Sequence, residues 1–234
     1  MGSDLPDPCG RFLPNLLTLL DVSARSCTKE VFKGIPNLKK LGIRIELSLD
    51  VVEPLCCFDH LVHLNELESL KCVVVNPNTR SPVVSPPAPI SIFPSGLKKL
   101  NLSGFGYPWE YINTIAKLGN LQVRDYAFRG SKWEANEGDF SGLKYLLIED
   151  TDLEYWGGGF DCFSSLERLI IRNCYKLKEL PQATATNLKI IELVDCNPLF
   201  VAFVKQIEKN GRCHRYEPLE VSVHFSADDE KSKA

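Results

Sequence analysis

One phrase recurs along the chain: an apolar residue, two variable positions, a leucine, two variable positions, a second leucine, one variable position and a closing apolar residue. Ile35, Leu38, Leu41 and Ile43 satisfy it, and so do Leu64, Leu67, Leu70 and Cys72. Phe93, Leu97, Leu100 and Leu102 fit with one extra residue, and Phe140, Leu143, Leu146 and Ile148 fit without it. Phe163, Leu166, Leu169 and Ile171 run on to Cys174, while Leu188, Ile191 and Leu193 run on to Cys196. Aligned on the second apolar position, Leu16, Leu38, Leu67, Leu97, Leu121, Leu143, Leu166 and Leu188 stand 22, 29, 30, 24, 22, 23 and 22 residues apart.

That period predicts an α/β repeat fold, a leucine-rich-repeat solenoid or horseshoe of about eight coils. Each coil contributes one short strand to a parallel sheet on the concave face and returns through an irregular or short helical segment. A single coil cannot bury its own leucines, so stability depends on stacking. The expected layout is an N-terminal extension at 1–12, a solenoid at 13–197, a capping segment at 198–216 and a polar tail at 217–234. Between residues 75 and 93 the prolines Pro77, Pro82, Pro86, Pro87 and Pro89 predict an extended insert, because proline has no amide proton to give to a ladder. Leu199, Val201, Phe203, Val204 and Ile207 have helical spacing, with Gly211 as the stop, and predict the cap. Two coils are irregular. Asp21 falls where the first coil needs a core residue, so Leu20 and Val22 are expected to point inward instead. The fifth coil runs from Leu121 into Arg124-Asp125-Tyr126 without a third leucine, which predicts a short or missing strand.

Strand side chains alternate between faces, so the residues between the leucines point away from the core. This outward set comprises Lys40, Gly42 and Arg44; Ser69, Lys71 and Val73; Lys99, Asn101 and Ser103; Tyr145, Leu147 and Glu149; Arg168, Ile170 and Arg172; and Ile190, Glu192 and Val194. From it we take Lys40, Arg44, Lys71, Lys99, Asn101, Tyr145, Leu147, Glu149, Arg168, Ile170, Arg172 and Glu192 as the candidate partner-binding residues. The early coils present mainly cations, which are either a solvated face or a binding surface, and the later coils add exposed apolar groups.

Composition narrows the partners. A chain of 234 residues with 44% hydrophobic and 24% charged residues is long enough for a sizeable core. Its formal net charge of -3 supplies no general basic field for nucleic acid or anionic lipid. No apolar run is long enough to span a bilayer, so neither nucleic acid nor membrane insertion is expected. Nine cysteines, an odd number at irregular spacing with no signal-like opening, read as reduced thiols in a cytoplasmic protein.

Catalytic and metal chemistry find little support. Cys56, Cys57, His60 and His63 could offer ligands to zinc, but Leu55, Phe58, Leu61 and Leu64 interleave with them and favour a packing role. A thiol nucleophile at Cys57 with His60 lacks an orienting third group. Gly157-Gly158-Gly159 is followed by no Lys-Ser or Lys-Thr, so it is read as a turn between coils and not as a phosphate loop. Cys174 and Cys196 recur at matched positions and are expected to point inward. No catalytic group, cofactor or metal is assigned.

The wording of the repeats carries a resemblance. Ile35-Pro36-Asn37-Leu38-Lys39-Lys40-Leu41-Gly42-Ile43, Leu67-Glu68-Ser69-Leu70-Lys71-Cys72, Arg124-Asp125-Tyr126-Ala127-Phe128-Arg129-Gly130 and Ile191-Glu192-Leu193-Val194-Asp195-Cys196-Asn197-Pro198 resemble the C-terminal repeats of plant intracellular immune receptors. The similarity is to the late-blight-resistance group of the nightshade family, whose members join a coiled coil, a nucleotide-binding domain and leucine-rich repeats, and it covers about residues 11 to 216. It implies a non-catalytic module that senses a pathogen effector or a guarded host protein and restrains the receptor's nucleotide-binding switch. The partners it implies are that effector or host protein and the nucleotide-binding domain of the same or a related receptor. No Gly-x4-Gly-Lys-Thr run exists in this chain, so nucleotide binding is not carried over. The alternative is a repeat adaptor that selects substrates for ubiquitin ligation, or another interaction scaffold unrelated to defence.

Overall fold

A computed structural model describes residues 12–46, 58, 60–75, 93–159, 161–181, 187–211 and 218–226. The proline-rich insert, the Cys56-Cys57 pair and the extreme termini lie outside these residues. The chain divides into two compact units, Met1–Tyr107 and Pro108–Ala234.

In unit 1 the strands β1 (Thr18–Ser23), β2 (Lys40–Glu46), β3 (Ser69–Val75) and β4 (Lys99–Ser103) each carry one copy of the phrase. Neighbours pair in parallel, and the register puts Leu41 beside Leu70 and Leu70 beside Leu100, with Ile43, Cys72 and Leu102 forming the next row. All six are buried. The apolar-x-x-Leu opening of the phrase is a turn that aims the chain into its strand. The Leu38 amide donates to the Ile35 carbonyl at 3.2 Å and the Leu67 amide to the Leu64 carbonyl at 3.1 Å. Between β1 and β2 a short helix α1 (Lys29–Gly34) is capped by Thr28, whose hydroxyl accepts from the Val31 amide, and buries Phe32.

Strand β1 departs from the expected pattern. Its register jumps between Leu19 opposite Leu41 and Val22 opposite Ile43, so two residues face Gly42 alone: a β-bulge. Asp21 takes φ 59° there, and Leu20 is 63% exposed and not inward-pointing. Only Val22 occupies the core position, because the bulge restores the alternation one residue later. A Cβ on Gly42 would stand 3.2 Å from the Asp21 nitrogen and 3.3 Å from the Leu20 Cα, both backbone atoms, so this close approach needs glycine.

The boundary falls within a two-residue strand β5 (Tyr107–Pro108), and unit 2 continues through a 3-10 helix, Trp109–Ile115. Its main sheet runs β6 (Asn120–Arg124), β9 (Tyr145–Glu149), β11 (Arg168–Arg172), β12 (Ile190–Val194) and β13 (Glu220–His224). Between β6 and β9 lie the two-residue β7 (Phe128–Arg129) and the four-residue β8 (Lys132–Ala135), and β10 (Tyr155–Gly158) precedes β11. The main strands are parallel, and Leu121, Leu146, Leu169 and Ile191 form one buried row in register, with Val123, Ile148, Ile171 and Leu193 forming the next.

Strand β6 is therefore complete, contrary to the expectation for the fifth coil. The phrase fits this coil three residues earlier than the sequence suggests. Leu118, whose amide donates to the Ile115 carbonyl, holds the second position, and Leu121 holds the third, opposite Leu146. The main strands of unit 2 from β6 to β12 each end in the same way. Asp125, Asp150, Asn173 and Asp195 follow directly with φ of 49°, 51°, 53° and 48°, a left-handed step that Asp and Asn tolerate best among residues with a side chain. Amide ladders link these corners, as from Asp150 to the Arg172 carbonyl at 3.1 Å and from Asn173 to the Val194 carbonyl at 2.9 Å.

On the return side β8 pairs in parallel with β10, which brings Trp133 opposite Trp156. Their rings stack at 4.9 Å, Trp109 continues the stack at 5.3 Å from Trp133, and Phe140 stacks on Phe163 at 5.2 Å. Gly157, expected in a turn, lies instead in β10 beside Glu134, whose carboxylate a Cβ would meet. The helix α2 (Pro198–Gly211) forms where the spacing predicts it, with the Asn197 side chain accepting from the Leu199 amide at 2.9 Å. Phe200, Val201 and Val204 face inward while Leu199 is exposed, because the first turn begins at Pro198. Residues 220–224, assigned to a polar tail, form β13 in register with β12; the alternation of Glu220, Val221, Ser222, Val223 and His224 suits an edge strand.

Candidate recognition surface

The side chains that alternate away from the leucine rows stand in rows of their own, one residue per strand, at the strand spacing of about 4.8 Å. The twelve candidate residues all lie on main-sheet strands at these outward positions.

In unit 1 the first row aligns Thr18, Lys40, Ser69 and Lys99, and the next aligns Gly42, Lys71 and Asn101. Lys40, Lys71 and Lys99 are exposed, and Asn101 is half-buried. Arg44 is not free. Its Nε donates to the Asp21 Oδ1 at 2.6 Å, which holds the Asp21 carboxyl below its ordinary range and raises the guanidinium. The bulge makes this pair possible, because it turns Asp21 outward over β2. At the strand entrances Glu68 bridges Lys98 at 3.3 Å and Lys39 at 3.7 Å, and both lower its carboxyl.

In unit 2 the outward rows neutralise themselves. Arg124 Nη1 meets Glu149 Oε2 at 2.8 Å. Glu192 takes Arg172 on one oxygen at 2.6 Å and Arg168 on the other at 3.6 Å. The hydrogen bond to Glu192 is the main reason that the Arg172 guanidinium is held more firmly protonated than usual. Between these pairs Leu147 and Ile170 sit side by side in register, flanked along their strands by Tyr145, Glu149, Arg168 and Arg172. They were expected as exposed apolar groups, yet they are 2% and 4% exposed. At that exposure neither residue offers itself to a partner directly.

Three groups of outward residues escape the sequence pattern. Asp21 falls at a core position there, Asn120, Gln122 and Arg124 are lost with the shifted fifth coil, and Glu220, Ser222 and His224 fall in the expected tail. The Asp125 after Arg124, matching Asn173 after Arg172, is the available signal for the second group.

The thiols serve the coils. Cys174 donates to the Arg172 carbonyl at 3.2 Å and lies 3.6 Å from the Thr151 hydroxyl, while Cys196 donates to the Ile171 carbonyl at 3.3 Å. Burial pushes the first up to about 12 and the second up to about 11, so both are protonated at neutral pH and poor nucleophiles. His60 and His63 lie beside buried Leu61 and Leu64, and among the described residues no group of three metal-ligating side chains converges. No helix among the described residues is long and apolar enough to cross a membrane.

No protein-family model matches the chain. Among curated proteins, one putative late blight resistance protein homologue of Solanum demissum is 32% identical over 186 residues, which is 76% of this chain and 14% of its own length. A second homologue from the same plant matches at 32% over 76% of the chain and 13% of its own length. A third matches at 32% over 211 residues, 83% of the chain and 17% of its own length. The parallel main sheet, which takes one strand from each repeat, thus sits on a sequence whose relatives are plant disease-resistance proteins. Within them the chain belongs to the late blight resistance homologue group, and it spans 14%, 13% and 17% of the length of these three members.

Proposed function

We propose that this chain is a leucine-rich-repeat recognition module of plant innate immunity. It is non-catalytic and cytoplasmic, and the outward strand rows form the concave face of a horseshoe. Those rows sense a pathogen effector or a guarded host protein, and the module restrains the nucleotide-binding switch of the same or a related receptor until that contact is made. The observation that carries the reading is the registered ladder: leucines of successive coils share one buried row, which leaves the intervening side chains aligned on the other face of the sheet. Kinship with the late blight resistance homologues supplies the biological direction.

Transient expression in leaves tests it. Joined to a nucleotide-binding portion from a late blight resistance homologue, the module is expected to alter either autoactivity or effector-triggered cell death. A chimera indistinguishable from the nucleotide-binding portion alone on both readouts refutes the proposal.

A further inference from the structure

The two units present their charges differently. Unit 2 pairs its outward arginines with Glu149 and Glu192, so little net charge remains on that face. Unit 1 pairs Arg44 with Asp21 and engages Glu68 between Lys39 and Lys98. No described residue makes an ion pair with Lys40, Lys71 or Lys99, and all three are exposed. Of the acidic groups on this face, Glu46 ends β2 and acts on Arg44. Asp21, whose charge reaches Lys71 through space, is held by Arg44.

The register fixes how these lysines are spaced. Lys40 and Lys99 occupy one cross-strand row with Ser69 between them, so their backbones lie about 10 Å apart, two strand spacings. Lys71 is two residues along β3 from Ser69 on the same face, which places it about 8 Å from each of the other two. Side chains on one face of an extended peptide recur about every 7 Å, a spacing that flexible lysines span readily. Among the intervening outward groups Gly42 and Ser69 are small and Asn101 is half-buried, which leaves a peptide backbone room to approach.

We propose that the outward face of unit 1 docks an extended acidic segment of a partner protein, with carboxylates on alternate residues meeting Lys40, Lys71 and Lys99. This rests on the reading of the outward rows as the recognition surface and names the chemistry that surface selects. Nucleic acid is the less suitable polyanion. Tight backbone binding draws on roughly six to ten phosphate contacts, and this face offers three lysines that make no ion pair among the described residues, on a chain of net charge -3.

Fluorescence anisotropy of the whole chain with a labelled peptide of alternating Glu and Ser, about ten residues long, tests the proposal. Saturable binding that weakens as salt is raised from about 50 to 200 mM is expected. The triple variant Lys40→Gln/Lys71→Gln/Lys99→Gln should bind roughly 30-fold more weakly, with an unchanged circular dichroism spectrum and thermal midpoint. A control in unit 2, Lys117→Gln/Lys144→Gln/Lys205→Gln, removes the same charge and should stay within about twofold of the parent. The proposal is overturned if the peptide does not bind, if the control loses as much as the triple variant, or if a thymidine oligonucleotide of equal length binds more tightly than the peptide. The assay needs no defence pathway. Peptide binding beside a silent cell-death assay therefore removes the immune reading and spares the surface, and the converse result removes only the surface.

Discussion

Leu169 is the place to test the ladder. It is fully buried, and its register neighbours in unit 2 are Leu146 and Ile191. Trimming it to alanine removes buried methyl groups from a packed row and should cost about 2–5 kcal/mol. Leu169→Asp adds an unpaired carboxylate to the same dry interior and should cost several kcal/mol more, comparable with the whole stability of an ordinary domain, about 5–15 kcal/mol. Trp109, Trp133 and Trp156 are the chain's three tryptophans and all lie in unit 2, so their fluorescence reports its unfolding. Urea titration followed at that signal should show the Leu169→Ala midpoint lowered by about 1–2 M and Leu169→Asp without a cooperative transition. Arg168→Ala, one residue away on the exposed face, should shift the curve by less than about 1 kcal/mol. A Leu169→Asp protein that unfolds like its parent would show that the row is not a shared core.

Other expectations are local. Gly42→Ala should cost about 1–3 kcal/mol, read by amide exchange on β1 and β2, because backbone atoms leave its Cβ no room. Gly157→Ala should cost less than about 1 kcal/mol, since only the exposed Glu134 side chain must swing aside. Asn173→Val, which forces a β-branched residue into the left-handed region, should lower the unit 2 urea midpoint by more than Asn173→Gly does. Alkylation of the native protein near pH 8, read by mass spectrometry, should spare Cys174 and Cys196. Their raised folded-state pKa means that the unfolded chain loses the protons first, so stability should fall as pH climbs from about 9 toward 12. Cys174→Ala should flatten that slope, and an unaltered slope would contradict the burial of the thiol.

The phrase makes the leucine rows legible because a period of two within each strand and a fixed interval between strands leave one consistent set of inward positions. Where two leucines stand three apart, as Leu118 and Leu121 do, the phrase fits in either phase, and only the Asp125 corner distinguishes them. The bulge at Asp21 is hidden because it depends on what faces it, Gly42, which is remote in sequence. Leu147 and Ile170 are misplaced for a related reason: alternation tells which face a side chain joins, not whether it stays exposed there. The aromatic stack has a signal, since Trp109, Trp133 and Trp156 stand 24 and 23 residues apart, the interval of the coils themselves. The charge pairing on the outward face depends on neighbouring strands and is visible only once the register is known.

Each strand in a unit bonds to the strand one coil away, so most tertiary contacts close loops of similar length. The entropy of closing a loop grows only logarithmically, and lengthening one from about 22 to about 30 residues adds a few tenths of a kcal/mol. Return segments can therefore gain or lose residues at almost no thermodynamic penalty while the strands they join keep their places. A scaffold of this kind lets its rim diversify quickly under selection without renegotiating its interior.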